Sequence, residues 1–350
     1  MTPEEGRELF PVLERLAYLN AGTFGPVARP TADAVQEQLA ADVEHGRFGK
    51  KYFERMLALR TQAREVLAAF VGAEPEQIAL TGSTTDGCNI VLAGLELAPG
   101  DELVTTTEEH FGLLGPLHAS GSRVIAVAPE PEAILAAVTP RTRLLALSQA
   151  LWTTGRVLPV RELREQTGVP VLVDGAQSVG AVPVEAAGLD FLTISGQKWL
   201  CGPDSTGALV VAEPERLRVG RPSYFSQQAY EPTGEFEPAA GAARFDPGWL
   251  SSAVLAGLLA AVELRPDWAF TRAAEQAARC RELLAPLVEV VSGDATLVAF
   301  RHEDPPGLVE RLAEAGVVVR EIPKTGLVRA SCGWWTNEDD LLRLADAVAA

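Results

Sequence analysis

Cysteine, lysine and long apolar runs are all scarce in this chain of 350 residues. The four cysteines are scattered, with no CxxC pair and no spacing typical of a metal site, so we expect neither a disulfide framework nor a bound metal. Charge or glycine breaks every apolar run before the roughly 20 residues that a membrane-spanning helix needs. The first residues are acidic and lack the pattern of a signal peptide. We therefore expect a cytoplasmic protein that does not bind a membrane.

Acidic residues outnumber basic ones, and lysine is the rarer base. Asp and Glu total 47 against 30 for Lys and Arg, a formal net charge of −17, which argues against a nucleic-acid partner. Only four of the bases are lysines. Lys50 and Lys51 lie in a charged helical stretch, and Lys324 lies in a turn. Lys198 alone follows an apolar strand pattern and a small-residue turn, where its side chain can be held toward a pocket.

The middle of the chain alternates short apolar runs with helical periodicity, which is typical of βαβ units and predicts an α/β fold with a mostly parallel, doubly wound sheet. We expect seven strands in this region, at residues 78–81, 102–105, 123–127, 143–148, 171–174, 191–195 and 207–211. A second α+β set follows a helix at 251–263, with strands at 287–291, 296–301, 317–321 and 326–330. We expect a large domain over 21–250 and a small domain over 251–350 joined by residues 1–20.

Residues 81–89 join a predicted strand to a predicted helix and are rich in Ser, Thr and Gly. Free N–H groups at a helix N-terminus and cap hydroxyls favour a bound phosphate. Ser and Thr are also the commonest ordinary helix caps, and this segment alone favours such a cap over a phosphate site.

Asp174 and Lys198 each follow a predicted strand, and ligands of open α/β sheets bind beyond such strand ends. Asp174 alone suits a ribose, a protonated ring nitrogen or a plain loop cap. A metal is disfavoured, because no second carboxylate or histidine is near it in sequence. A lysine placed like Lys198 can form a Schiff base with a carbonyl. A phosphate cradle, a ring acid and such a lysine, in this order, together predict pyridoxal phosphate (PLP) chemistry.

Two more residues stand out, each with two interpretations. His110 comes after a predicted strand, where it can stack on a planar cofactor and move protons, or be an ordinary loop histidine. Arg329 lies in an apolar strand, where an unpaired charge is unfavourable. A bidentate bond to a substrate carboxylate explains it, and so does an internal salt bridge.

Residues 174–180 (DGAQSVG) and 195–203 (SGQKWLCGP) are specific enough to suggest a family. The chain resembles the class V aminotransferase family of fold-type I PLP enzymes, which includes cysteine desulfurases, isopenicillin N epimerase-like proteins, kynureninases and C–S lyases. The resemblance extends from residues 18–22 to 328–331. It implies the PLP-dependent transferase fold, with a seven-stranded large domain and a smaller C-terminal domain. It also implies a homodimer with the site at the interface.

The resemblance implies roles for individual residues. Lys198 would carry PLP, Asp174 would pair with the pyridine nitrogen, and Gln177 would bond the phenolic oxygen of the ring. His110 would stack on the ring face. The residues expected to bind the phosphate are Thr84, Thr85, Ser195 and Gln197. Those expected at the substrate are Arg329, for the α-carboxylate, and Asn20, Ala21 and Gly22 nearby. The loop at 244–252 would reach the phosphate pocket of the partner subunit.

Three departures from the family pattern narrow the reaction. The position of Gln197 is commonly histidine in these enzymes. The ring-contacting asparagine of the desulfurases is absent, so Gln149 or Trp152 must fill its space. Residues 319–326 lead into the Arg329 strand without the nucleophilic cysteine of the desulfurases, and Cys332 comes after that strand. We therefore do not expect persulfide-forming desulfurase activity.

The resulting prediction is a PLP-dependent enzyme acting on an amino acid as its small-molecule substrate. We favour a C–S lyase, which eliminates a sulfur leaving group from a cysteine- or cystine-like substrate. Transamination and epimerisation of the isopenicillin N type are the alternatives. A protein of this fold that binds without turnover is a further alternative, against which the combination of Lys198, Asp174 and Arg329 argues.

Overall fold

The computed structural model describes all 350 residues, which form eleven α-helices and fourteen β-strands. The helices are α1 (Pro3–Glu8), α2 (Arg29–His45), α3 (Gly49–Val71), α4 (Thr84–Gly94), α5 (Phe111–Ala119), α6 (Pro131–Ala137), α7 (Val160–Thr167), α8 (Ser252–Glu263), α9 (Ala269–Leu284), α10 (Pro305–Glu314) and α11 (Glu338–Ala349). The strands are β1 (Ala17–Tyr18), β2 (Ile78–Thr81), β3 (Glu102–Thr106), β4 (Arg123–Val127), β5 (Thr142–Ser148), β6 (Val171–Asp174), β7 (Phe191–Ser195), β8 (Gly207–Val211), β9 (Gln227–Tyr230), β10 (Phe236–Pro238), β11 (Leu297–Arg301), β12 (Val317–Val318), β13 (Arg320–Ile322) and β14 (Leu327–Ser331). No helix is both long enough and apolar enough to cross a membrane.

Seven strands form the main sheet, in the spatial order β2-β8-β7-β6-β5-β3-β4. Neighbouring strands are parallel except at β8, which is antiparallel to both β2 and β7. The other six strands therefore all run in one direction, and their carboxyl ends meet at one edge. The predicted mostly parallel seven-stranded sheet is confirmed.

Both faces of this sheet are buried, because its strands are apolar at nearly every position. In β5, Leu145 and Leu147 belong to a large apolar cluster on one face. Leu144 and Ala146 point to the other face and belong to a second cluster. Successive side chains of a strand alternate between faces, so a continuous apolar run is what a sheet covered by helices on both sides requires.

A smaller antiparallel sheet, in the order β11-β14-β13, follows near the C-terminus. The N-terminus joins this part of the chain, since Ala17 of β1 pairs with Val317 of β12. The helix α8 packs against α2 and α3, and its Leu255 and Leu258 belong to the same buried cluster as the main sheet. We therefore propose two domains whose boundary follows α8, so that residues 251–263 stay with the large one.

Two strand predictions in the small sheet were wrong. Residues 287–291 form only an isolated bridge, between Val290 and Phe300. The amides of Leu287 and Val288 donate instead to the carbonyl of Leu284 at the end of α9, so they cannot join a ladder. The predicted strand 317–321 is divided, because β12 pairs with β1 whereas β13 pairs with β14.

Candidate active site

Asp174 ends β6 at the carboxyl edge of the main sheet, opposite Thr193 of β7. The carboxylate is buried, and its Oδ1 accepts hydrogen bonds from the Ala176 amide (2.9 Å) and the Thr193 hydroxyl (3.4 Å). Its Oδ2 accepts no hydrogen bond from the chain. A buried carboxylate with one unused oxygen is suited to a cationic ring nitrogen.

Lys198 follows β7 by three residues and is half-buried. It forms no salt bridge. Burial of the ammonium lowers the pKa of Lys198 to about 8; the positive charges of Arg329 and Arg320 lower it further, and Asp174 opposes the change. About a tenth of this amine is therefore neutral, and hence nucleophilic, at pH 7, which is a few hundred-fold more than for an ordinary lysine with a pKa of 10.5.

The Lys198 loop is held against the N-terminal segment of the chain. The Gly25 amide donates to the Gln197 carbonyl at 2.8 Å, and a Cβ atom on Gly25 would lie 2.1 Å from the Lys198 carbonyl oxygen. Behind the loop, the indole of Trp199 donates to Gln177 Oε1 at 3.0 Å. Gln177 in turn donates through Nε2 to the Gly22 carbonyl at 2.8 Å. Only the second N–H of that amide is left for a ligand.

The predicted phosphate residues lie at the start of α4 and at the end of β7. Ser83 is the N-cap of α4, and its hydroxyl accepts from the Asp86 amide at 3.1 Å. Thr84 and Thr85 are the first two helical residues, whose N–H groups have no acceptor within a helix. Ser195 is the last residue of β7, and its hydroxyl donates to Gln197 Oε1 at 2.8 Å. This bond fixes the amide of Gln197 with its NH₂ group available as a donor.

His110 is the N-cap of α5, and its Nδ1 accepts from the Gly112 amide at 3.0 Å. In the neutral ring the proton is therefore on Nε2. Burial lowers the pKa of His110, and the nearby Lys198 lowers it further. The ring meets that of Trp152 edge to face, at 5.0 Å between centroids.

Glu109 is a buried acid next to this histidine that sequence reasoning did not single out. Its carboxylate accepts from the Ser148 amide at 3.0 Å and the Thr106 hydroxyl at 2.9 Å, and so ties the ends of β3 and β5 together. Burial raises the pKa of Glu109 to about 7. The sequence shows the acid beside His110, but its burial depends on two strands that are far apart along the chain.

Arg329 of β14 is fully buried at 0% exposure and forms no salt bridge. One guanidinium nitrogen donates to the Trp152 carbonyl at 2.6 Å, another lies 3.5 Å from the Thr23 hydroxyl, and Nε has no partner. Burial lowers the pKa of Arg329 to about 9, with a further contribution from Arg320. The internal salt bridge, one of the two interpretations of this residue, is therefore wrong, and the carboxylate-binding interpretation remains.

The predicted neighbours of Arg329 contribute backbone more than side chains. A Cβ atom on Gly22 would lie 2.7 Å from Arg329 Nη2, so only glycine allows this close approach. Asn20 Oδ1 accepts from the Thr23 hydroxyl at 2.8 Å. Ala21 is buried in an apolar cluster and offers no side-chain group to a ligand. Thr23, which was not predicted, is the polar residue of this segment that reaches the guanidinium.

The site fits PLP and an amino acid. Two buried polar atoms beside it have no partner within the chain: Trp152 Nε1, whose ring meets His110, and Arg329 Nε, whose guanidinium lies near Thr23. Thirteen buried side-chain atoms lack a partner across the chain, and these two are the ones beside the predicted cofactor and substrate residues, where a ligand can satisfy them. Gln149 and Trp152 are the two candidates for the place of the family's asparagine, and of these Trp152 contacts His110.

None of the four cysteines is placed to act as a nucleophile. All are free and buried. The hydrogen bond with Cys280 and burial together raise the pKa of Cys332 well above its ordinary value. The turn between β13 and β14 contains no cysteine.

Fold and site together define a PLP-dependent enzyme of fold type I, with its predicted cofactor residues gathered at the carboxyl edge of the large sheet. The family model for aminotransferase class V matches residues 19–304, and the chain belongs to this family. The chain is similar to isopenicillin N epimerase from Streptomyces clavuligerus, with 31% identity over 99% of this chain and 98% of that one. It is also similar to the cysteine desulfurase CsdA from Escherichia coli K12, with 27% identity over 99% of this chain and 96% of that one.

Solved structures agree with this assignment. A mutant of C-DES with glycine covalently linked to its PLP cofactor superposes with a TM-score of 0.91 at 28% identity, over 98% of both chains. A complex of the cystine C–S lyase C-DES with its product cysteine persulfide superposes with a TM-score of 0.90 at 28% identity, over 97% of this chain and 99% of that one. PLP is thus the cofactor of this enzyme, as it is in the C-DES mutant.

Proposed function

We propose that this enzyme cleaves a C–S bond in a cysteine- or cystine-like amino acid by α,β-elimination. The observation that carries the proposal is the buried guanidinium of Arg329, which has no carboxylate partner in the chain and whose positive charge is near enough to lower the pKa of Lys198. An α-carboxylate bound there brings the rest of an amino acid to that amine. The likeness to the cystine C–S lyase C-DES supports the choice of leaving group.

When bound, PLP supplies an electron sink for the negative charge that develops at the substrate Cα. Lys198 would hold the cofactor, and its amine, with its pKa lowered to about 8, would accept the Cα proton. The carboxylate of Asp174 would keep a proton on the ring nitrogen. Thr84, Thr85, Ser195 and Gln197 would bind the phosphate, and Gln177 the phenolic oxygen. His110 would stack on the ring, and its free Nε2–H would donate a hydrogen bond to the sulfur as it leaves.

A cysteine persulfide on the enzyme itself is not part of the proposal. Such a step needs an accessible thiolate, and all four cysteines are buried. The sulfur would leave with the rest of the substrate, as a persulfide from cystine or as hydrogen sulfide from cysteine. Water would then hydrolyse the released 2-aminoacrylate to pyruvate and ammonia.

Epimerisation is the second candidate, favoured by the likeness to isopenicillin N epimerases along the whole chain. It shares the removal of the Cα proton and differs in where the proton returns. Incubation with L-cystine, L-cysteine and neutral amino acids, read for pyruvate, keto acid and chirality, separates the candidates. We expect pyruvate from cystine or cysteine. Loss of optical activity without pyruvate would support the epimerase instead, and a keto acid with the intact side chain would support a transaminase.

We also propose a homodimer with the site at the subunit interface. Three large apolar side chains are exposed on a single chain: Phe24 beside Thr23, Phe111 beside His110, and Trp249, at 49%, 78% and 65%. Trp249 lies in the 244–252 loop and stacks on Tyr224, which is also exposed, so the two rings form an apolar surface that a partner subunit can cover. A single-chain mass in sedimentation analysis would refute this arrangement. The buried, unpaired cysteines support a cytoplasmic location.

A further inference from the structure

A second arginine of the small sheet stands beside Arg329. Arg320 of β13 is the register partner of Arg329 of β14. Residues directly opposite in an antiparallel pair have their side chains on the same face. Both guanidinium groups accordingly reach the same hydroxyl, that of Thr23, at 3.2 Å from Arg320 Nη1 and 3.5 Å from Arg329 Nη2.

Arg320 and Arg329 place two positive charges side by side without an acidic side chain to neutralise them. Neither arginine has a carboxylate within 4 Å, although fifteen ion pairs form elsewhere in the chain. Like charges placed opposite each other are unfavourable in a sheet. The two arginines lower the pKa of Lys198 and of His110, so both act on the same space. One substrate α-carboxylate neutralises only one of them.

The wall next to the pair offers further donors for an anion. The guanidinium of Arg320 lies 5.9 Å from the ring centre of Trp152, whose carbonyl is bound by Arg329. Trp152 Nε1 is buried without a hydrogen-bond partner, and so is Arg329 Nε. Unused donors and an unpaired charge on one surface are complementary to a ligand with more than one acidic group.

We propose that Arg320 binds a second anionic group, carried on the substrate side chain, and thereby selects amino acids whose sulfur substituent ends in a carboxylate. The inference rests on the proposed function, because it takes Arg329 as the site of the α-carboxylate. Cystine, whose far half carries a carboxylate, belongs to this class, whereas S-alkyl cysteines do not. Arg320 is then the residue that determines specificity at the leaving-group side.

A matched pair of ligands tests this directly: S-(2-carboxyethyl)-L-cysteine and its amide, S-(2-carbamoylethyl)-L-cysteine, which differ in charge and hardly in shape. Binding to the PLP-loaded enzyme is measured from the change in cofactor absorbance and checked by calorimetry, and kcat/KM is measured separately. We expect the carboxylate to bind at least about tenfold more tightly than the amide, as befits one charge-assisted hydrogen-bonded contact. In Arg320→Gln this ratio should fall to about one, and in Arg320→Lys it should recover in part.

Arg301→Gln is the control for net charge, because Arg301 lies on the same small sheet but is exposed and paired with Glu289. It should leave the ratio unchanged. A ratio near one in the wild type, or an unchanged ratio in Arg320→Gln, overturns the inference. Discrimination that depends on Arg320 without any pyruvate release would support the inference and reject the elimination reaction, so the two proposals fail separately.

Discussion

Replacing Arg329 by methionine removes a charge from a place where no carboxylate of this chain balances it. Burial lowers the pKa of this guanidinium from 12.5 to about 9, which corresponds to roughly 5 kcal/mol against the charged form in the folded protein. The hydrogen bonds to the Trp152 carbonyl and the Thr23 hydroxyl return about 2 kcal/mol together. Methionine fills most of the volume without any charge. The ligand-free variant should therefore be at least as stable as the wild type.

Catalysis should respond in the opposite direction. Truncating one partner of a buried charge pair costs about 2–5 kcal/mol. Applied to the bound α-carboxylate, this is a loss of about 30-fold to several thousand-fold in kcat/KM. Arg329→Lys keeps the charge but not the bidentate geometry, so its kcat/KM should lie between those of the wild type and Arg329→Met.

Stability and activity are measured on the same preparations of each variant. Chemical denaturation of PLP-free protein at fixed concentration gives the free energy of unfolding, and kcat/KM is measured after PLP is restored. An Arg329→Met variant that lost more than about 2 kcal/mol of stability would show that the arginine is structural. A loss of less than tenfold in kcat/KM would likewise refute the argument.

Three other predictions concern single buried groups. The rate of PLP uptake by ligand-free enzyme should rise with pH, with a midpoint near pH 8, since only the neutral amine of Lys198 reacts. Arg320→Gln should raise that midpoint, because it removes a positive charge that lowers the pKa of Lys198. A wild-type midpoint near 10.5 would contradict the burial argument. Burial raises the pKa of Glu109 from 4.5 to about 7 in the folded protein, so its protonated form stabilises the fold. This contribution of about 3 kcal/mol is fully present below pH 4.5 and is lost as the pH rises through 7. Glu109→Gln should flatten that part of the stability profile between pH 5 and 8, and an identical slope in both proteins would exclude Glu109 as its source. Asp246→Ala should lower the free energy of unfolding, measured with denaturant, by about 3–5 kcal/mol, because it leaves the buried Arg60 and its neighbour Arg64 unpaired. Glu54→Ala, which breaks an exposed pair with Lys50, should lower it by less than about 1 kcal/mol. Equal effects of these two substitutions would contradict the burial argument.

The large sheet could be predicted because its signals are local. Each of its strands is a short apolar run with a turn after it, and the observed strands begin and end within one residue of the predicted bounds. Since the carboxyl ends of these strands meet, Asp174 and Lys198 could be placed at one edge from their positions alone.

The rest of the site depends on contacts between distant segments. Residues 287–291 are apolar enough for a strand, yet their first amides are bound by the end of α9. Whether Arg329 had a carboxylate partner could not be read from an apolar strand, because the partner could come from anywhere in the chain. Arg320 was missed although it has the same local signal as Arg329, an arginine in an apolar run. Its importance appears only when the register places it opposite Arg329.

The most direct test of the account is to find where PLP is attached. Borohydride reduction of the holoenzyme, followed by digestion and mass spectrometry, locates the modified lysine, and only four lysines compete. We expect a single adduct on Lys198, bleaching of the visible absorbance band, and no adduct in Lys198→Ala. An adduct on Lys50, Lys51 or Lys324, or none on any lysine, would contradict it.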